Sequence, residues 1–231
     1  RAIQSNYAGA RATVTSYNGR LAISFYRAYL LKLWVDDGLG GGVAGDLEVN
    51  GGEVRNVVTD FYYEPNNYHD LAVVNGKLAV SFGDGSGAIV AKVWYDDGAG
   101  GGIAADGLVN GAEIRVVAAG YDGGPFTSVT AYQDRLALAF RARTGGSPRV
   151  NLWLDDGAGG GTAGDGFVNG NEVRFIDSAG WSSYLSLSVL GGHAAISYYN
   201  SNSGDLCLWI DDGIGIGGIA GDGSANGEEI R

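Results

Sequence analysis

Residues 12–26 read ATVTSYNGRLAISFY, two alternating runs separated by Asn18 and Gly19. An Asn-Gly pair between such runs is a strong hairpin signal, because a type I′ turn needs positive φ at both central residues. In the second run Leu21, Ile23 and Phe25 share one face, while Ala22 and Ser24 share the other, since side chains alternate along a strand. The run returns as KLAVSF from Lys77, RLALAF from Arg135 and HAAISY from His193. Asn75-Gly76, Gln133-Asp134 and Gly191-Gly192 fill the turn in those copies. A sheet with one bulky and one small face can stack on copies of itself, bulky side into small side.

The pattern continues outward from the hairpin. LKLWVDD, residues 31–37, predicts a third strand with Leu31, Leu33 and Val35 on one side and Lys32, Trp34 and Asp36 on the other. An acidic, glycine-rich loop follows, and then EVRNVVTD, residues 53–60, predicts a fourth strand. Trp34, Trp94, Trp153 and Trp209 mark four copies of this order at intervals of 56–60 residues. That is an internal repeat, and it makes the chain one array. Its modules run approximately over 1–54, 55–114, 115–173 and 174–231. No segment sustains a 3.6-residue apolar period, so little helix is expected. The fold class is predicted to be all-β, four repeats of four-stranded antiparallel blades forming a β-propeller. A linear stack of the same sheets is the alternative.

Composition narrows the function. The formal net charge is −11, which sets nucleic acid aside as a partner because phosphates would be repelled. The 42 glycines come without a G-X-Y period, so they signal tight turns and not collagen. No apolar run is long enough to span a bilayer. The acidity is concentrated in the four loops. Each carries an Asp-Asp pair, a later Asp and a Glu: Asp36, Asp37, Asp46 and Glu53; Asp96, Asp97, Asp106 and Glu113; Asp155, Asp156, Asp165 and Glu172; Asp211, Asp212, Asp222 and Glu229. Such clustering reads as ligand supply for cations.

Read backwards from its glutamate, each loop follows the second half of a calcium EF-hand loop, where Asp, Gly, an apolar residue, a polar ligand and a bidentate Glu come in fixed order. Asp106, Gly107, Val109, Asn110 and Glu113 fill those places, and Asp165, Gly166, Val168, Asn169 and Glu172 do so again. Asp46 with Asn50, and Asp222 with Asn226, begin looser versions, with Leu47 in the glycine place and Ala225 in the apolar one. The first half departs from the pattern, so a glycine-rich insertion must fold the Asp-Asp pair back, and either aspartate of the pair could ligate. Flexible coordination by six to eight hard oxygens suits Ca²⁺, about one ion per repeat. Magnesium demands a tighter octahedron, and zinc is disfavoured because neither His nor Cys recurs in the loops.

The half-loop GDGxVNGxE resembles the calcium loops of dockerins, thrombospondin type 3 repeats and the B-type repeats of surface adhesins. A repeat near 60 residues with an acidic Asp/Gly loop is similar to integrin-type FG-GAP propellers, although the FG and GAP signatures are absent. The segments RLAISFY and LKLWVDDG resemble the repeats of secreted bacterial propeller-like proteins. These resemblances imply a calcium-loaded β-repeat protein that is extracellular or at the cell surface, in adhesion or surface structure.

A catalytic site is not expected. No GxSxG, P-loop or HExxH motif occurs. His69, in a connection, and His193, in the slot of Arg20, Lys77 and Arg135, both read as solvated surface residues. A glycan-active enzyme with carboxylates drawn from distant blades is a minor alternative. Aromatics in the connections (Tyr7, Phe61, Tyr62, Tyr63, Tyr121, Trp181 and Tyr184) suggest a lectin-like or adhesive function that stacks sugar rings. Cys207, the one cysteine, takes the strand slot of Lys32, Lys92 and Asn151 and is expected at the surface.

The leading expectation is an extracellular, calcium-stabilised structural repeat, a component of a filament or surface layer. The chain lacks methionine and a leader-like segment, which reads as a mature or excised piece. Arg1 and Arg231 both occupy the arginine slot of Arg55, inside the fourth strand. This shared register predicts a homo-oligomer or head-to-tail assembly.

Overall fold

The computed structural model describes residues 12–27, 30–36, 54–58, 68–84, 89–95, 114–121, 126–144, 147–155, 173–178 and 183–211. They form strands and turns, with no helix among them. The first sheet holds β1 (Ala12–Tyr17), β2 (Arg20–Arg27), β3 (Leu30–Val35) and β4 (Val54–Val58), antiparallel and in chain order. The second repeats that order with β5 (His69–Val74), β6 (Lys77–Asp84), β7 (Ile89–Tyr95) and β8 (Ile114–Tyr121). The third does so with β9 (Thr127–Tyr132), β10 (Arg135–Thr144), β11 (Ser147–Leu154) and β12 (Val173–Asp177). The fourth has three described strands, β13 (Ser183–Leu190), β14 (His193–Asn200) and β15 (Asp205–Ile210).

Each sheet begins with the hairpin foreseen from the turn chemistry. Tyr17 pairs with Arg20 across Asn18 and Gly19, whose φ angles are +50° and +76°. Asn75 and Gly76, Gln133 and Asp134, and Gly191 and Gly192 are likewise all at positive φ, as type I′ requires. Gln133 and Asp134 do this with side chains attached, in a region that costs a non-glycine residue energy. A register shift recurs where the third strand meets the fourth, at Leu31/Lys32, Ala91/Lys92 and Val150/Asn151.

Packing between sheets follows the bulky-into-small expectation. One core cluster sets Ala22, Leu31, Leu33, Val35 and Val57 of the first sheet against Leu71, Leu78, Val80, Phe82 and Trp94 of the second. Ala79, Ala91, Val93, Tyr95 and Val117 in turn meet Val129, Leu136, Leu138, Phe140 and Trp153. Ala137, Ala139, Leu152, Leu154 and Ile176 then meet Leu187, Ala194, Ile196, Tyr198 and Trp209. The middle strand thus gives each sheet a trough of alanines, into which a ridge of large side chains from the next middle strand fits. Full burial of each Leu, Val or Phe stabilises by roughly 1.5–3 kcal/mol relative to exposure.

The first strands of successive sheets lie beside one another, in contact from β1 to β5 to β9 to β13. Here side chains supply hydrogen bonds between strands that share no ladder. The Asp70 carboxylate accepts from the Ser128 hydroxyl at 2.7 Å and from the Val129 amide at 3.1 Å. One module on, the Ser128 hydroxyl accepts from the Leu187 amide at 3.0 Å. Thr13, Asp70, Ser128 and Ser186 share a repeat slot, and each carries an oxygen.

His69 departs from expectation. It opens β5 and is buried, and its Nε2 donates to the Ser24 carbonyl at 3.1 Å. A carbonyl can only accept, so Nε2 carries the proton there. The sequence suggested a solvated side chain because it does not show that the preceding sheet closes over this position.

Asp70→Ala should destabilise the fold by about 1–3 kcal/mol, because it strips the Val129 amide and the Ser128 hydroxyl of their acceptor. Asp70→Asn, which keeps an acceptor oxygen, should cost less. Urea unfolding of both variants measures the difference, and equal costs would contradict the assignment.

Candidate metal loops and their buried aspartates

In three modules the third strand delivers the first aspartate of the acidic pair. Three of the twenty expected ligands fall within the described residues: Asp36, Asp155 and Asp211, directly after β3, β11 and β15. The other seventeen (Asp37, Asp46, Asn50, Glu53, Asp96, Asp97, Asp106, Asn110, Glu113, Asp156, Asp165, Asn169, Glu172, Asp212, Asp222, Asn226 and Glu229) lie outside them. Among the described residues no group of three or more His, Cys, Asp or Glu side chains is placed to hold a metal.

The three aspartates are held alike. Their backbone amides donate to the carbonyls of Leu21, Leu136 and Ala194 at 3.0, 3.0 and 2.9 Å. Each bond carries the pairing with the second strand one residue past the third strand's end. Side-chain alternation puts these aspartates on the face of Trp34, Trp153 and Trp209, and all three are buried. A carboxylate taken out of water needs donors or a cation to meet it. Asp211 receives one such donor from the neighbouring module, the Tyr132 hydroxyl at 3.5 Å, the long end of hydrogen-bond range. In these three loops the first aspartate of the pair is thus inward, and its partner (Asp37, Asp156 or Asp212) lies outside the described residues.

Outside the loops, Asp70 and Asp177 have structural work. Asp177 accepts from the Tyr198 hydroxyl at 2.8 Å and from the Asn200 amide at 3.4 Å. Burial first, and then this carboxylate, push the Tyr198 phenol above its ordinary range. Cys207, expected at the surface, is half-buried and packs against the core cluster between the third and fourth sheets. Its neighbour across the strand pair is Tyr198, an aromatic where the first sheet has Phe25. Burial, followed by the charges of Asp177 and Asp205, raises its pKa.

An aromatic cluster was missed in part. Tyr68, Phe126 and Tyr184 occupy one repeat slot at the start of successive first strands. The rings of Tyr68 and Phe126 are 4.0 Å apart, and Tyr184 lies 6.1 Å from the first and 6.4 Å from the second. The Arg141 guanidinium stands 5.4 Å from the Phe126 ring. Tyr184 is exposed and sits at φ +64°, an uncommon conformation for a bulky residue. It belongs to β13, and Tyr121 ends β8, so neither lies in a connection. Tyr7, Phe61, Tyr62, Tyr63 and Trp181 fall outside the described residues. An aromatic before three of the four hairpins, with Arg11 in the slot of the first, was the signal in the sequence.

The chain matches no protein-family model and no curated protein. No helix among the described residues is long and apolar enough to cross a membrane.

Because its pKa is raised, Cys207 should form thiolate only above the ordinary thiol value of about 8.5. At pH 8 it should therefore alkylate more slowly than a free cysteine. Iodoacetamide rates measured from pH 7 to 10 should rise with a midpoint displaced to higher pH. A midpoint at or below that of a free thiol would contradict the packing described.

Proposed function

We propose that this chain is an extracellular, calcium-stabilised structural repeat whose four modules act as blades of a β-propeller and serve as an element of a larger assembly. The observation that carries the calcium reading is the burial of Asp36, Asp155 and Asp211 at one repeat position. In each module the Asp-Asp pair, the later Asp, the Asn and the Glu would hold the ion, and the donor set is all oxygen, as calcium prefers. A bound calcium would neutralise the loop and tie the end of the third strand to the start of the fourth. The buried aspartate fixes one end of that loop to the sheet through its backbone bond to the second strand.

The aromatic cluster supports a radial arrangement over a straight stack. Sheets packed face to face lie about 10 Å apart, so first strands two modules apart would stand about 20 Å apart. Tyr68 and Tyr184 are two modules apart in sequence, yet their rings are separated by 6.1 Å. First strands that converge on an axis account for this distance.

A second reading, glycan binding, draws on one observation: the exposed, conformationally strained Tyr184 ring beside Phe126 and Tyr68. Saturable binding on a glycan array, lost in Tyr184→Ala, would put this reading first.

The calcium reading is tested by thermal unfolding with calcium and with excess chelator. A ligand that binds only the folded state at 100 times its Kd stabilises by about 2.7 kcal/mol per site. Chelation should therefore lower the Tm by many degrees, and excess calcium should restore it. An unchanged Tm would contradict calcium stabilisation.

A further inference from the structure

The interfaces between the described sheets are built from the same two faces, and each end of the array leaves part of one of those faces exposed. On the bulky face of the first sheet Phe25 and Trp34 are buried, while the part nearer the hairpin is open. Val14 is 64% exposed, whereas Val129, in the same slot of the third sheet, is 4% exposed. Leu21 is exposed as well, although Leu78, Leu136 and Ala194 in its slot are buried. The opposite face of the fourth sheet is open in the complementary way. Leu206 is 78% exposed, against 0% for Val150 in its slot. Leu190 is exposed where Tyr17, Val74 and Tyr132 are buried, and Leu208 and Ile210 extend the same apolar surface, half-buried.

We propose that the outer face of the fourth sheet of one copy docks on the outer face of the first sheet of a second copy. The contact would repeat between chains the packing seen three times within one. Leu206, Leu208 and Ile210 would seat on Val14, Leu21 and Ile23, as Leu31, Leu33 and Val35 seat with Leu71, Leu78 and Val80. The occupant is a second copy because the surface shaped to cover each open face is the other end of this same chain. Such a contact is heterologous, head on tail, so it closes into a ring or extends as a filament. The proposal deepens the assembly reading and rests on it, while the calcium reading stands or falls separately.

Light scattering on the full chain in saturating calcium tests it, with two variants that place charges on opposite ends. Val14→Asp with Leu21→Asp blocks the first face, and Leu190→Asp with Leu206→Asp blocks the last. Unmodified protein should reach at least twice the 23.8 kDa mass of one chain. Each variant alone should be a single copy, and an equimolar mixture should form a two-copy complex, which also shows that both variants fold. A single copy for the unmodified protein at every concentration would overturn the proposal, leaving a chain closed on itself or an open end. So would a variant that self-associates alone, or a mixture that does not combine. If the masses behave as expected but no calcium binds, the metal reading fails and the docking stands.

Discussion

Everything else in this molecule depends on the fit of a ridge into a trough. The second strand of the first three sheets turns Leu, Ile, Val or Phe to one side and Ala or Ser to the other, and that of the fourth turns Ala194, Ile196 and Tyr198 to the first side. The small side forms a trough between flanking strands, deep enough for the ridge of the next sheet. Ala22, Ala79 and Ala137 are buried at the centres of these troughs. Close-packed interiors accept little added volume, and an overpacked core typically costs about 1–3 kcal/mol. Enlarging any of these alanines would separate two sheets along their whole length. The repeat therefore keeps small residues where a lone sheet would have no need of them.

The same stacking explains the burial of Asp155 and Asp211. In the third and fourth sheets the third strand carries a tryptophan packed against the preceding sheet, and the first aspartate follows two residues later on the same face. Packing that buries Trp153 and Trp209 carries Asp155 and Asp211 inward with them. The first strands show another consequence. They approach closely without a ladder, and Asp70 and Ser128 bond to backbone amides of the next module. Tyr68, Phe126 and Tyr184 meet at the strand starts.

Features that depend on one strand or one turn were legible in the sequence. The hairpins were written in Asn18-Gly19 and its counterparts, and the two faces in the alternation of Leu21 and Ala22. The acidic loops were legible as a composition, and the burial of Asp36 at the end of the third strand was not. Features that depend on two modules were much less so. His69 bonds to Ser24 across 45 residues, and Asp70 to Ser128 across 58. Nothing in the local pattern around either residue signals a partner at that distance. Cys207 looked like a surface residue because Lys32, Lys92 and Asn151 share its slot, but long side chains can pack their stems and still reach water. A shared slot therefore did not imply a solvated one.

The central claim is that each of the four loops holds a calcium ion. Titration of metal-free protein with calcium, followed by calorimetry, tests it most directly. The account predicts saturation at four ions per chain, one for each Trp-X-Asp-Asp repeat. No binding heat, and no calcium retained after dialysis above the buffer background, would contradict it.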